Sequence, residues 1–98
     1  MEDAAELRER RTKGKRKKQG QKWLAECIGV SASMVSQYEH GKATPSLWIA
    51  DRYAKALRVP LQRLVDALAE TNRRAEAERA AKNVTSLQAE RERRQQSN

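Results

Sequence analysis

Apolar residues recur through the first two-thirds of the chain at intervals of three and four. That spacing lines one face of an α-helix, and no stretch alternates as a half-buried strand would. Ala4, Leu7 and Arg11 share one face of a first helix, which Gly14 stops. A second helix is predicted to begin near Gln21, with Leu24, Ala25 and Ile28 on one side, and to end at Gly29. Ser31 then caps a third, whose apolar positions are Met34, Val35 and Tyr38, and Gly41 stops it. Thr44-Pro45 reads as a cap with proline at the first helical position. It opens a fourth helix with Leu47, Ala50, Tyr53, Ala54 and Leu57 as its buried stripe. Val59-Pro60 breaks that helix, and Leu61, Leu64, Val65 and Leu68 form a short fifth. The expectation is an all-α, compact five-helix bundle. Residues 1–68 form the folded domain, and 69–98 a polar, partly helical or disordered tail.

Charge sharpens this picture. The 98 residues carry a formal net charge of +8. Residues 1–22 hold +5 of it, concentrated in Lys13, Lys15, Arg16, Lys17 and Lys18 within a predicted loop over 13–20. Such an excess favours a polyanionic partner. A chain this short has no room for a two-domain enzyme with a deep pocket. It also offers no nucleophile–base pair and no Gly-rich phosphate loop, so it reads as a non-enzyme. One cysteine and one histidine make neither a disulfide nor a zinc site, so no metal or cofactor is expected. The beginning of the chain lacks the apolar core of a secretory signal, and no run is long enough for a bilayer. The expected location is cytoplasmic, with no membrane partner.

The second and third helices, 21–39, are separated only by Gly29-Val30-Ser31. A tight turn between two short amphipathic helices is a helix-turn-helix pattern. Small Ala25 lets the helices approach, and Ile28, Val30 and Val35 set their angle from inside. The start of the third helix then protrudes, narrow enough for the major groove of duplex DNA. Its outward residues are Ala32, Ser33, Ser36 and Gln37, the expected base contacts. A glutamine amide can both donate to and accept from an adenine edge, while Ala32 suits a thymine methyl.

On these residues the chain resembles the Cro/phage-repressor helix-turn-helix family, the XRE-like group with a lambda-repressor-like fold. The pattern Gln-x-x-Leu-Ala, Gly-Val-Ser, Val-Ser-x-Tyr-Glu-x-Gly-Lys, Pro-Ser-Leu and Ala-x-x-Leu-x-Val is matched from Gln21 to Val59. The resemblance implies five helices, a homodimer on a palindromic operator, and transcriptional repression of phage or bacterial type. It implies phosphate contacts from Gln21, at the start of the second helix, and Lys42. Lys22 and the basic residues Lys15, Arg16, Lys17 and Lys18 are expected to join them. It also implies a structural ion pair, assigned to Arg11 and Glu39. Two departures stand out. Ala32 replaces a glutamine that often packs on the residue matching Gln21. Arg11 lies about three residues further from Gln21 than is usual, the extra length falling in Lys15–Lys18.

Other residues have plainer readings. Tyr38 is expected in the core, Trp23 partly buried against a neighbouring helix, Cys27 half-buried, and His40 on the surface. Trp48 is either packed likewise or a dimer contact. In the tail, Ala77, Ala80, Val84 and Leu87 alternate by three and four. They give either a frayed soluble helix or a segment for dimerisation or a protein partner. Arg91, Arg93 and Arg94 would add nonspecific affinity for DNA. The alternative function is accordingly the antitoxin of a toxin–antitoxin pair, or another adaptor that uses the same DNA-binding fold and engages a protein through the tail.

Overall fold

The computed structural model describes residues 1–96, with side chains to Lys82. Five α-helices follow one another: α1 Ala4–Arg11, α2 Lys17–Ile28, α3 Ala32–Glu39, α4 Leu47–Leu57 and α5 Leu61–Gln96. No strand occurs among the described residues. Side chains start three of the helices. Asp3 accepts from the Glu6 N–H at 2.9 Å, Ser31 from Met34 at 3.1 Å and Ser46 from Ile49 at 3.2 Å. Each satisfies a donor that the helix itself leaves unpaired. Between α2 and α3 the chain turns at Gly29, whose φ of 76° is left-handed. Its N–H and that of Val30 both return to the Ala25 carbonyl.

The helices close over one core: Leu7 of α1, Leu24, Ala25 and Ile28 of α2, Val35 and Tyr38 of α3, Ala50, Tyr53, Ala54 and Leu57 of α4, and Leu64 and Ala67 of α5. Leu24, Ile28, Val35 and Leu64 are fully buried, each removal from water being worth about 1.5–3 kcal/mol. Tyr38 packs against Tyr53 with ring centroids 6.1 Å apart. Ala25 is 3% exposed between packed helices, so a larger side chain there would overpack the junction that fixes α3.

Several expectations are corrected. α4 is capped by Ser46 rather than Thr44, and Leu47 stands 76% exposed instead of joining the stripe. Periodicity identifies the inward face but not where packing along it begins, and Leu47 is the first residue of α4. Trp48 is 73% exposed beside it. Cys27 is exposed rather than half-buried. Trp23 is half-buried, as expected. The fifth helix is not short. It runs unbroken through residue 68, and Glu70 and Thr71 are buried. The Thr71 hydroxyl accepts from the Ala4 N–H at 2.9 Å. Arg74 pairs with Asp3 and Glu6 at 2.7 Å each and with Glu70 at 3.1 Å. These polar residues continue the packed face, but a search for apolar positions ends at Leu68. Ala77 and Ala80 are exposed. Val84, Leu87, Arg91, Arg93 and Arg94 lie outside the described side chains.

The turn from α4 to α5 holds one further irregularity. Arg58 caps α4 at φ 57°, ψ 43°, the one positive φ outside glycine among the described residues. That conformation costs an L-residue about 1–2 kcal/mol.

Candidate nucleic-acid interface

The position of α3 is fixed from beneath by a buried polar cluster. Glu39, the last residue of α3, is 6% exposed. Its Oε2 accepts from Arg8 Nε at 2.6 Å, and its Oε1 from Gln21 Nε2 at 3.0 Å. Arg8 Nη1 also donates to Thr12 Oγ1 at 3.3 Å, and that hydroxyl donates to the Arg8 carbonyl at 3.0 Å. One carboxylate thus ties α3 to α1 and α2. Gly20 makes room for the arrangement. A Cβ there would lie 2.7 Å from Arg8 Nη1 and 2.9 Å from Thr12 Oγ1.

This cluster corrects two expected roles. The partner of Glu39 is Arg8, not Arg11. The two differ by three positions on α1 and lie near one face, but α1 ends at Arg11. Arg8 therefore points into the bundle, while exposed Arg11 lies over the Trp23 ring at 5.3 Å. The second correction concerns Gln21. α2 starts at Lys17, so Gln21 lies a turn inside the helix, 8% exposed, with its amide committed to Glu39. It does not stand at the helix start as a phosphate contact. The added length before Gln21 is helical in part, and the loop expected over 13–20 ends at Arg16.

With Val35, Tyr38 and Glu39 turned inward, α3 presents the opposite face. Ala32 and Ser33 are exposed and Ser36 and Gln37 half-exposed, so the four expected base contacts share the outer side. The only acid of α3 is buried and paired, which leaves that side without negative charge. At its end His40 Nδ1 lies 2.7 Å from the Ser36 carbonyl. A carbonyl only accepts, so Nδ1 carries the proton, and the Ser36 hydroxyl 3.4 Å away meets a donor.

Positive charge is exposed on the segments that adjoin α3. Lys42 follows α3 and is exposed. Lys15, Arg16, Lys17, Lys18 and Lys22 are all exposed around the start of α2. That start has no acid in its first turn and no side-chain cap. Its free N–H groups and the positive end of the helix dipole therefore add to the cations rather than offset them. Each such cation is disfavoured by about 0.3–1 kcal/mol, and a bound phosphate would relieve the arrangement. Lys15 also lies 5.4 Å from the centroid of Trp23, so one ring carries two cations. The basic run is legible in the sequence, whereas the roles of Arg8, Thr12 and Gly20 are not. The one available signal was that Arg8 and Thr12 are four apart, on a single helix face.

A protein-family model described as helix-turn-helix (HTH_3) matches residues 7–64, from the inner face of α1 into the first turn of α5. No curated protein and no solved structure matches the chain.

Proposed function

Because the chain belongs to the Cro/repressor-type helix-turn-helix family and is a DNA-binding regulator, we propose that it is a sequence-specific repressor acting as a homodimer on a two-fold operator. The observation that carries this reading is the outer side of α3, free of acids and built of small and amide side chains, with exposed cations on the adjoining α2 and at Lys42. α3 enters the major groove. Gln37 reads an adenine through its amide, Ser33 and Ser36 reach base edges or adjacent phosphates, and Ala32 lies against a thymine methyl. Lys15, Arg16, Lys17, Lys18, Lys22 and Lys42 hold the backbone and set the register.

In a dimer the two α3 helices would sit roughly 34 Å apart, one turn of the duplex. Selection of binding sites from random duplex DNA, with the mass of the complex measured, tests the reading. The expected result is an enriched palindrome bound by two chains. An asymmetric site bound by one chain would remove the dimer, and no enriched site would remove the repressor. Engaging all six cations would give log K against log[salt] a slope of about −5 per subunit.

A second reading has its own support in α5. The helix continues past Arg74, which pairs with Asp3 and Glu6, and residues 76–82 are exposed. That extension is a surface on which a second chain or a protein partner can pack, as an antitoxin requires. A stoichiometric partner that co-purifies and protects residues 76–96 from proteolysis would favour this role.

A further inference from the structure

Away from α3, a groove of about 230 Å³ lies where the end of α1 meets the turn from α4 to α5. Its floor is apolar: Leu7 and Leu57 are 2% and 3% exposed, and Val59 is half-buried. Four arginines, Arg10, Arg11, Arg58 and Arg63, also line it. One carboxylate already answers part of this charge. Glu2 lies 2.9 Å from Arg10 and 2.7 Å from Arg63. Among the described residues, Arg11 and Arg58 have no carboxylate against them.

Arg58 also occupies its place at a conformational cost. It takes the left-handed cap of α4, a position that glycine fills without strain. An arginine held there against its own backbone preference, with no carboxylate among the described residues to answer its charge, is an outlier that points to a role.

We propose that this groove is a binding site for a small organic acid. The apolar body of the ligand covers Leu7, Leu57 and Val59, and its carboxylate takes the guanidinium groups of Arg58 and Arg11, as Glu2 takes those of Arg10 and Arg63. A volume below the roughly 300–1,000 Å³ of pockets for drug-sized molecules fits a short aliphatic chain or a single ring. A bare phosphodiester would meet the cations but leave the half-buried Val59 uncovered. The site goes beyond the proposed DNA contacts and does not depend on them. It does touch the same helix, since Leu7 adjoins the Arg8 that holds Glu39.

The test is titration of the full chain with hexanoate, following the methyl resonances of Leu7, Leu57 and Val59 by NMR. Hexanamide, uncharged and of the same shape, is the control. Saturable shifts at those methyls are expected with hexanoate, and binding weaker by about tenfold or more with hexanamide, the worth of a charge-assisted hydrogen bond. Arg58→Gly removes the guanidinium and the strain together. It is expected to keep or raise the melting temperature, lose hexanoate binding by a similar factor, and leave affinity for duplex DNA unchanged. Arg58→Lys restores part of the binding. The proposal is overturned if hexanoate leaves the three methyls unmoved, if hexanamide binds equally well, or if R58G keeps hexanoate. It is also overturned if R58G loses DNA instead, because Arg58 would then belong to the DNA interface.

Discussion

Replacing Arg8 by methionine removes the one cation beneath α3 while keeping the length and apolar character of the side chain. Arg8 and Glu39 are each 1% exposed at the side chain, and the Nε–Oε2 distance is 2.6 Å. After the substitution Glu39 keeps a single neutral donor, the Gln21 amide. Stranding a buried charge in this way costs about 3–5 kcal/mol, a large share of the 5–15 kcal/mol that holds a typical domain together. Arg11→Met is the control. Arg11 is exposed and its guanidinium lies over the Trp23 face, so its loss is worth about 0.5–1 kcal/mol. The assay is urea unfolding followed by circular dichroism. At about 1–3 kcal/mol per molar urea, R8M lowers the midpoint by about 1–5 M, or unfolds the chain outright, while R11M scarcely moves it. In the double variant Arg8→Met/Glu39→Met no charge remains buried, so much of the loss returns. Part persists because the Gln21 amide is left without its acceptor, at about 1–3 kcal/mol. Equal effects of R8M and R11M, or a double variant worse than R8M, would refute the argument that this pair fixes α3.

Other outcomes follow from the same geometry. Gly20→Ala gains about 1 kcal/mol of helix propensity. Its new Cβ meets Arg8 Nη1, fixed by the bond of that guanidinium to Glu39, and Thr12 Oγ1, held by Arg8, so thermal unfolding is expected to show a net loss of about 1–3 kcal/mol. Lys17→Gln with Lys18→Gln should reduce the magnitude of the salt slope of DNA binding by about 2 per subunit, with affinity falling on all sequences alike. Gln37→Ala should cost about 1–3 kcal/mol on the selected site and relax preference at one base per half-site, read by competition with single-base variants. Hydrogen bonding from Arg73, with help from Arg74, lowers the Glu70 carboxyl from its ordinary 4.5 to about 2. A folded-state value below the unfolded one stabilises the protein above pH 4.5, and the benefit is lost as pH falls toward 2. Melting curves across that range should therefore be steeper in pH for the native chain than for Glu70→Gln.

The five helices were legible because their signals are local: period, cap and glycine stop. Ser31 and Gly29 mark the turn before α3 in the sequence and in the structure alike. What escaped depends on neighbours. Ser46 and Thr44 are both competent caps, and only packing selects between them. Thr71 looks like a solvent-facing residue until α1 supplies its partner, and Glu70 until Arg73 and Arg74 fold back on it. Arg8 and Arg11 are nearly equivalent by periodicity, and the end of α1 decides which turns inward. The outer side of α3 was readable because residues 32, 33, 36 and 37 are what remains once Val35 and Tyr38 are assigned to the core. The role of Gln21 was misread because the first turn of α2 is written in lysine, glutamine and glycine and carries no apolar marker.

The central claim is that the outer side of α3 enters duplex DNA. Backbone amide NMR of the full chain, titrated with a duplex carrying its selected site, tests it most directly. The account predicts the largest shifts at Ala32, Ser33, Ser36 and Gln37, with a second group at Lys17, Lys18 and Gln19, where the free N–H groups of α2 meet phosphate. Shifts confined to α5 and the α4–α5 turn, with α3 unmoved, would contradict it.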